Sequence, residues 1–148
     1  MLRMLATLAA TVLILAGCAG TPAQPLSDQN SQTVPFSGVL PEGFVVVARP
    51  RGPDFTIYDI TKGGTDYVGV YVGNYASFPL SEDSQGKTSG ANPQVFSVSR
   101  DGELRPMEYL WIDEDSYGQV HVWVQSSLVG TEEATAREIA QSIRPAGR

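Results

Sequence analysis

The sequence predicts an α+β fold: a mostly antiparallel sheet of about five to seven strands, with one C-terminal helix packed on one face. Three observations carry this. Apolar residues alternate with a period of two through most of the chain from residue 35, as half-buried strands require. One segment near the C terminus changes to helical spacing. The 148 residues leave room for one domain of ordinary size.

The elements follow in order. Pro41-Glu42-Gly43 introduces a short apolar strand at 44–48, and the breaker run Arg49-Pro50-Arg51-Gly52-Pro53-Asp54 separates it from a second at 55–60. Gly63-Gly64-Thr65 turns the chain into 67–74, the clearest strand. Residues 76–93 read as a long polar loop containing Pro79, Gly86, Gly90 and Pro93. Strand character resumes at 94–99, and Asp101-Gly102 signals a tight hairpin. Its return strand covers 103–112, with Pro106 confining the first part to an edge or a bulge. An acidic turn at 113–118 leads to a last strand at 119–126. For the helix, Gly130-Thr131 offers a cap, and Glu132 and Glu133 stand where the helix dipole favours anions. Ala136, Ile139, Ala140 and Ile143 fall at i, i+3, i+4 and i+7 as one apolar stripe, and Pro145 stops the helix.

The amino terminus is of a different character. Arg3 precedes an apolar run at 5–15 interrupted only by Thr7 and Thr11, too short to span a bilayer but suited to the core of a signal peptide. The run ends in Leu15-Ala16-Gly17-Cys18, which resembles the lipobox of bacterial lipoproteins. The resemblance implies cleavage before Cys18, a diacylglyceryl thioether on its sulfur and acylation of the new amino terminus. Cys18 is the only cysteine, so an intrachain disulfide is ruled out. The division expected is a signal peptide at 1–17, a disordered tether at 18–34 and a single domain at 35–148. The tether is rich in Pro, Ser, Gln, Asn and Thr and would reach roughly 20–25 Å. Ala19 and Gly20 lack the aspartate associated with inner-membrane retention, so the family rule implies the periplasmic face of the outer membrane in a Gram-negative cell envelope. The strand–hairpin–strand–helix order, opened by Leu40-Pro41-Glu42-Gly43-Phe44, resembles the PsbP/Mog1 type of α+β sandwich over residues 36–144. That resemblance implies action by binding rather than by chemistry, and it transfers no functional residue.

Removing residues 1–17 takes away one charge, Arg3, and leaves nine basic against sixteen acidic residues, a net charge of −7. With no Lys/Arg cluster in the sequence, such a chain is a poor nucleic-acid binder. A partner selected by charge would be basic.

Alternation also sorts side chains between the faces of the sheet. It groups Val68, Val70 and Val72 with Leu110 and Ile112 and with Val120, Val122 and Val124, as partners for the helix stripe. Tyr67, Tyr71, Tyr109, Trp111, His121 and Trp123 fall opposite, with Gly69 and Gly73 between the tyrosines. Either loops cover these aromatics and rings pack over the glycines, or the face is an open platform for a partner. Tyr67, Tyr71, Tyr109, Trp111 and Trp123 are therefore the partner-binding candidates, and Cys18 the lipidation site.

Sequence motifs for chemistry are poor. Residues 81–88, SEDSQGKT, end like a phosphate-binding loop, but Ser81 replaces its first glycine, Glu82 and Asp83 repel phosphate, and a strand follows in place of a helix. Residues 113–118 open like a calcium loop, whose twelfth position is Val124 rather than a carboxylate. His121, the only histidine, has apolar neighbours and no sequence partners for a zinc site or a catalytic triad. The expectation is a non-enzymatic binding or assembly module tethered to a membrane by acyl chains on Cys18, with a protein partner and no nucleotide, metal or cofactor. An inhibitor or immunity protein against a basic secreted hydrolase is the alternative, drawn from the acidic loops at Glu82-Asp83 and Asp113-Glu114-Asp115. A small hydrolase is the third reading, without a motif of its own.

Overall fold

In the computed structural model the described residues are 22–80, 91–113 and 118–146. The leader expected at 1–17, Cys18, the 81–88 motif and most of the acidic turn expected at 113–118 lie outside them.

Six strands follow the period-two pattern. They are β3 (Val45–Pro50), β4 (Phe55–Lys62), β5 (Thr65–Gly73), β6 (Gln94–Arg100), β7 (Glu103–Asp113) and β8 (Gly118–Val124). All pair antiparallel, in the order β3-β4-β5-β8-β7-β6. Two meanders thus meet along a β5–β8 seam. The Asp101-Gly102 turn is as expected: both residues have positive φ, 55° and 79°, which a two-residue hairpin matching the sheet's twist demands. A bulge between Phe96 and Ser97 absorbs Pro106, which has no N–H for the ladder. The helix α1 (Gly130–Ser142) buries Ala136, Ile139 and Ala140, although its cap residue is Val129 and no side chain closes that end.

Three further strands correct the expected layout. β1 (Gln24–Ser27), β2 (Thr33–Gly38) and β9 (Arg144–Pro145) form a second antiparallel sheet in the order β1-β2-β9. The tether expected at 18–34 therefore gives way to folded chain at Gln24. Its polar residues make a turn rather than a leash: the Asp28 carboxylate accepts the Asn30 and Gln32 N–H groups at 2.8 and 3.0 Å. Gln29 N–H donates to the Val46 carbonyl at 2.8 Å, fastening this turn to the large sheet. Val34 and Phe36 are buried, and the Phe36 ring meets Tyr58 edge-on at 5.2 Å.

The α+β assignment is overturned as well. Of the described residues 55% are strand and 12% helix, so the fold is mostly β, two sheets of six and three strands with one C-terminal helix. The helix and the small sheet lie on the same face of the large sheet and close a core of Val46, Ile60, Val68, Val70, Val122, Ile139 and Ile143.

The expected facing holds in part. Val68, Val70 and Val72 pair with Val124, Val122 and Val120 on the helix side. On β7 the phase is inverted. Tyr109 lies opposite Val122 and Trp111 opposite Val120, so these two aromatics belong to the helix side, whereas Leu110 shares the far side with His121. The β7–β8 register pairs odd residues with even ones, and a one-residue offset moves every side chain to the other face.

Candidate binding pocket

The side of the large sheet away from the helix is built as rows. Asp59, Gly69, Trp123, Glu108 and Phe96 form one row across five strands, and Ile57, Tyr71, His121 and Leu110 the next. The rows are tightly seated. A Cβ on Gly69 would lie 2.1 Å from Cε2 and Cζ2 of Trp123, so the indole lies flat on bare backbone, and only glycine permits that approach. Phe55 stacks on Tyr71, with centroids 5.4 Å apart.

The chain from Asn74 to Leu80 crosses this face on its way from the centre of the sheet toward the far edge. Three of its N–H groups are held. Tyr75 donates to the Tyr71 hydroxyl at 3.1 Å, Ala76 to Gln119 Oε1 at 2.8 Å, and Leu80 to both oxygens of Glu108 at 3.2 and 3.0 Å. Glu108 is 6% exposed and also meets His121 Nε2 at 2.9 Å, while the Phe78 ring stands edge-on over the imidazole at 5.5 Å. The carboxylate is thus the post to which the strap and the histidine are tied, which is how a buried charge is tolerated.

Beyond the strap a pocket of about 360 Å³ remains. Leu80, Phe96, Val98, Met107 and Trp123 give it apolar walls, while Arg100, Glu108 and Gln125 supply polar groups at its margin. Arg100 is held there by an ion pair with Glu133 of α1 and by the Ser126 and Leu128 carbonyls at 3.3 Å. Apolar walls with a few fixed polar groups suit the capture of an apolar group with a defined orientation.

The five aromatic candidates are not one platform. Trp123 lines the pocket and Tyr71 lies under the strap. Tyr67 sits in the bulge between the Ile60 and Thr61 pairings, is 8% exposed and reaches Glu132 of the helix at 3.3 Å. Its phenol is raised above the ordinary value by desolvation, then by the Glu132 charge. Tyr109 is 7% exposed beneath the helix, its phenol raised by burial against the lowering pull of Gln141, Arg137 and Arg144. Trp111 lies under the Arg144 guanidinium, 5.0 Å from its ring centre. Phe96, Val98, Met107 and Leu80 were missed as pocket residues because they belong to the edge strand β6, its neighbour β7 and a loop whose approach no local pattern signals.

Among the described residues, no group of three or more His, Cys, Asp and Glu side chains could hold a metal ion. Among the same residues, no helix is long and apolar enough to cross a membrane. Glu82, Asp83, Glu114 and Asp115, which motivated the inhibitor reading, lie outside the described residues. Compared with known proteins, the chain matches no protein-family model, no curated protein and no solved structure.

Proposed function

We propose that this chain is an envelope lipoprotein, held to the outer membrane by acyl chains on Cys18, that acts by binding a protein partner. The supporting observation is the pocket beside Trp123, which offers an apolar recess of about 360 Å³ with fixed polar groups at its margin. An apolar side chain of the partner fills it, as anchors do at the centres of interfaces. The anchor is supported by Leu15-Ala16-Gly17-Cys18 at the end of a short apolar run.

Two substitutions test the binding site in the native host. A photo-crosslinking residue at Leu80, on the pocket's lip, should yield a discrete adduct with one protein. Val98→Trp, which fills the pocket from its wall, should remove that adduct and leave the circular dichroism spectrum unchanged. An adduct equally abundant in Val98→Trp would refute the pocket as the contact. Intact mass of the host-derived chain tests the anchor separately, since a free thiol or a retained leader contradicts it.

A further inference from the structure

The small sheet brings the start of the folded chain beside its end. Pro25 of β1 pairs with Ser37 of β2, and Ser37 pairs with Arg144 of β9, so the three residues stand side by side on strands about 4.8 Å apart. Only residues 19–23 separate Cys18 from Gln24, a span of at most about 20 Å fully extended. A lipid on Cys18 therefore keeps this corner of the domain at the bilayer surface, where the sixteen-residue leash expected from composition would have let it roam.

What the corner carries is unusual. Arg137, Gln141 and Arg144 fall at i, i+4 and i+7 of the helix end and its continuation, toward Tyr109 and Trp111 of β7. Arg144 is exposed and covers the Trp111 ring, its Nη1 donating to the Gln141 and Ile143 carbonyls. Beneath it, Tyr109 Oη, Trp111 Nε1 and Arg137 Nε are buried and have no hydrogen-bond partner. Gln141 lies close enough to the Tyr109 phenol to make it hold its proton less tightly, and Glu133 is 3.7 Å from Arg137 Nε, too far for a hydrogen bond. Among the described residues no carboxylate pairs with Arg144. Three buried hydrogen-bond donors without a partner and a guanidinium without a carboxylate therefore lie at this corner, groups that an oxyanion satisfies.

We propose that this corner docks on the bilayer and takes a phospholipid phosphate between Arg144, Arg137, the Trp111 indole N–H and the Tyr109 hydroxyl. The inference rests on the acyl anchor at Cys18, because the short span from that residue selects a membrane phosphate over one in solution. As a phosphate draws Arg144 outward, the donors beneath gain the acceptor they lack. Tryptophan and tyrosine settle at the headgroup level of membranes, and arginine matches phosphate geometrically. The chain's overall negative charge means that general attraction to anionic lipid does not hold it there; a discrete site does.

The test couples the chain from Cys18 onward, through that single thiol, to a maleimide lipid in phosphatidylcholine vesicles containing a headgroup nitroxide lipid. The quenching lost in Trp111→Phe belongs to Trp111. It should amount to about a twofold loss of Trp111 emission and vanish in Arg137→Gln/Arg144→Gln, with circular dichroism confirming that this variant folds. Absent quenching, or quenching unchanged by the double substitution, overturns the docking while leaving the anchor intact. Inorganic phosphate added to the uncoupled chain should leave Trp111 emission unaltered; an equal response there assigns the site to free phosphate and overturns the bilayer proposal. An unmodified thiol at residue 18 in host-derived protein is the separate failure of the anchor, and the docking falls with it.

Discussion

At Gly69 the backbone of β5 lies against the Trp123 indole, and a Cβ placed there would meet ring carbons at 2.1 Å. Gly69→Ala must push that ring toward the pocket, an overpacking that costs about 1–3 kcal/mol. A lower urea midpoint should report it, and Trp123→Leu in the same chain should recover most of the loss. A midpoint unchanged by Gly69→Ala would mean that the ring is not seated on this glycine. Glu133 shows the opposite kind of residue. The sequence places it at the helix start as a partner of the dipole, and it is buried instead, with Arg100, Arg105 and Arg137 gathered on its carboxylate. Nothing local distinguishes it from its neighbour Glu132, which stays exposed; three strand and helix arginines converging on one carboxylate are a tertiary fact.

Among the elements, the strap at 74–80 is held by three backbone N–H groups and by the Phe78 ring on His121, and Glu108 takes its last N–H. Glu108→Leu leaves the Leu80 N–H and the His121 ring without that acceptor. Amide exchange over 75–80 should then accelerate about tenfold, the equivalent of one lost hydrogen bond. Unchanged exchange would show that the strap is held from elsewhere. The six strands of the large sheet were legible in the sequence to within a few residues, β3 from a short apolar run bounded by breakers and most of the others from alternation, and the Asp101-Gly102 turn and the helix stripe were legible from their own chemistry. Pro106 likewise marked its bulge. The small sheet was not legible. Its one buried stretch alternates as Val34, Phe36 and Gly38, but polar residues on both sides hide it, and β9 is two residues long. The facing of Tyr109 and Trp111 was lost for another reason: alternation gives the two sets within a strand, and only the register between strands decides which set shares a face. The pocket followed the same rule, with Trp123 foreseeable as an aromatic on the sheet and its walls not.

For the molecule as a whole, three of the six tyrosines give its stability a pH limit. Tyr58, Tyr67 and Tyr109 all hold their phenolic protons above the ordinary value of 10.0, each chiefly through desolvation. The folded state binds these protons more tightly than the unfolded state. Their contribution is therefore complete below about pH 10 and is lost as pH rises through the elevated folded values. Urea midpoints should be level up to about pH 9 and fall beyond about pH 10, and absorbance titration should find tyrosines that ionise late. A midpoint that rises in alkali contradicts this. The strand order carries a consequence for synthesis. Each meander zips between neighbours in sequence, but β5 and β8 meet only after everything between them has been made. Until then the Val68, Val70 and Val72 side of the chain borders an unpaired strand edge, the template on which one copy adds to another. A nascent or partly refolded population is therefore most prone to sticking together along β5, and a holdase that shields this edge until β8 arrives would raise the yield of native protein.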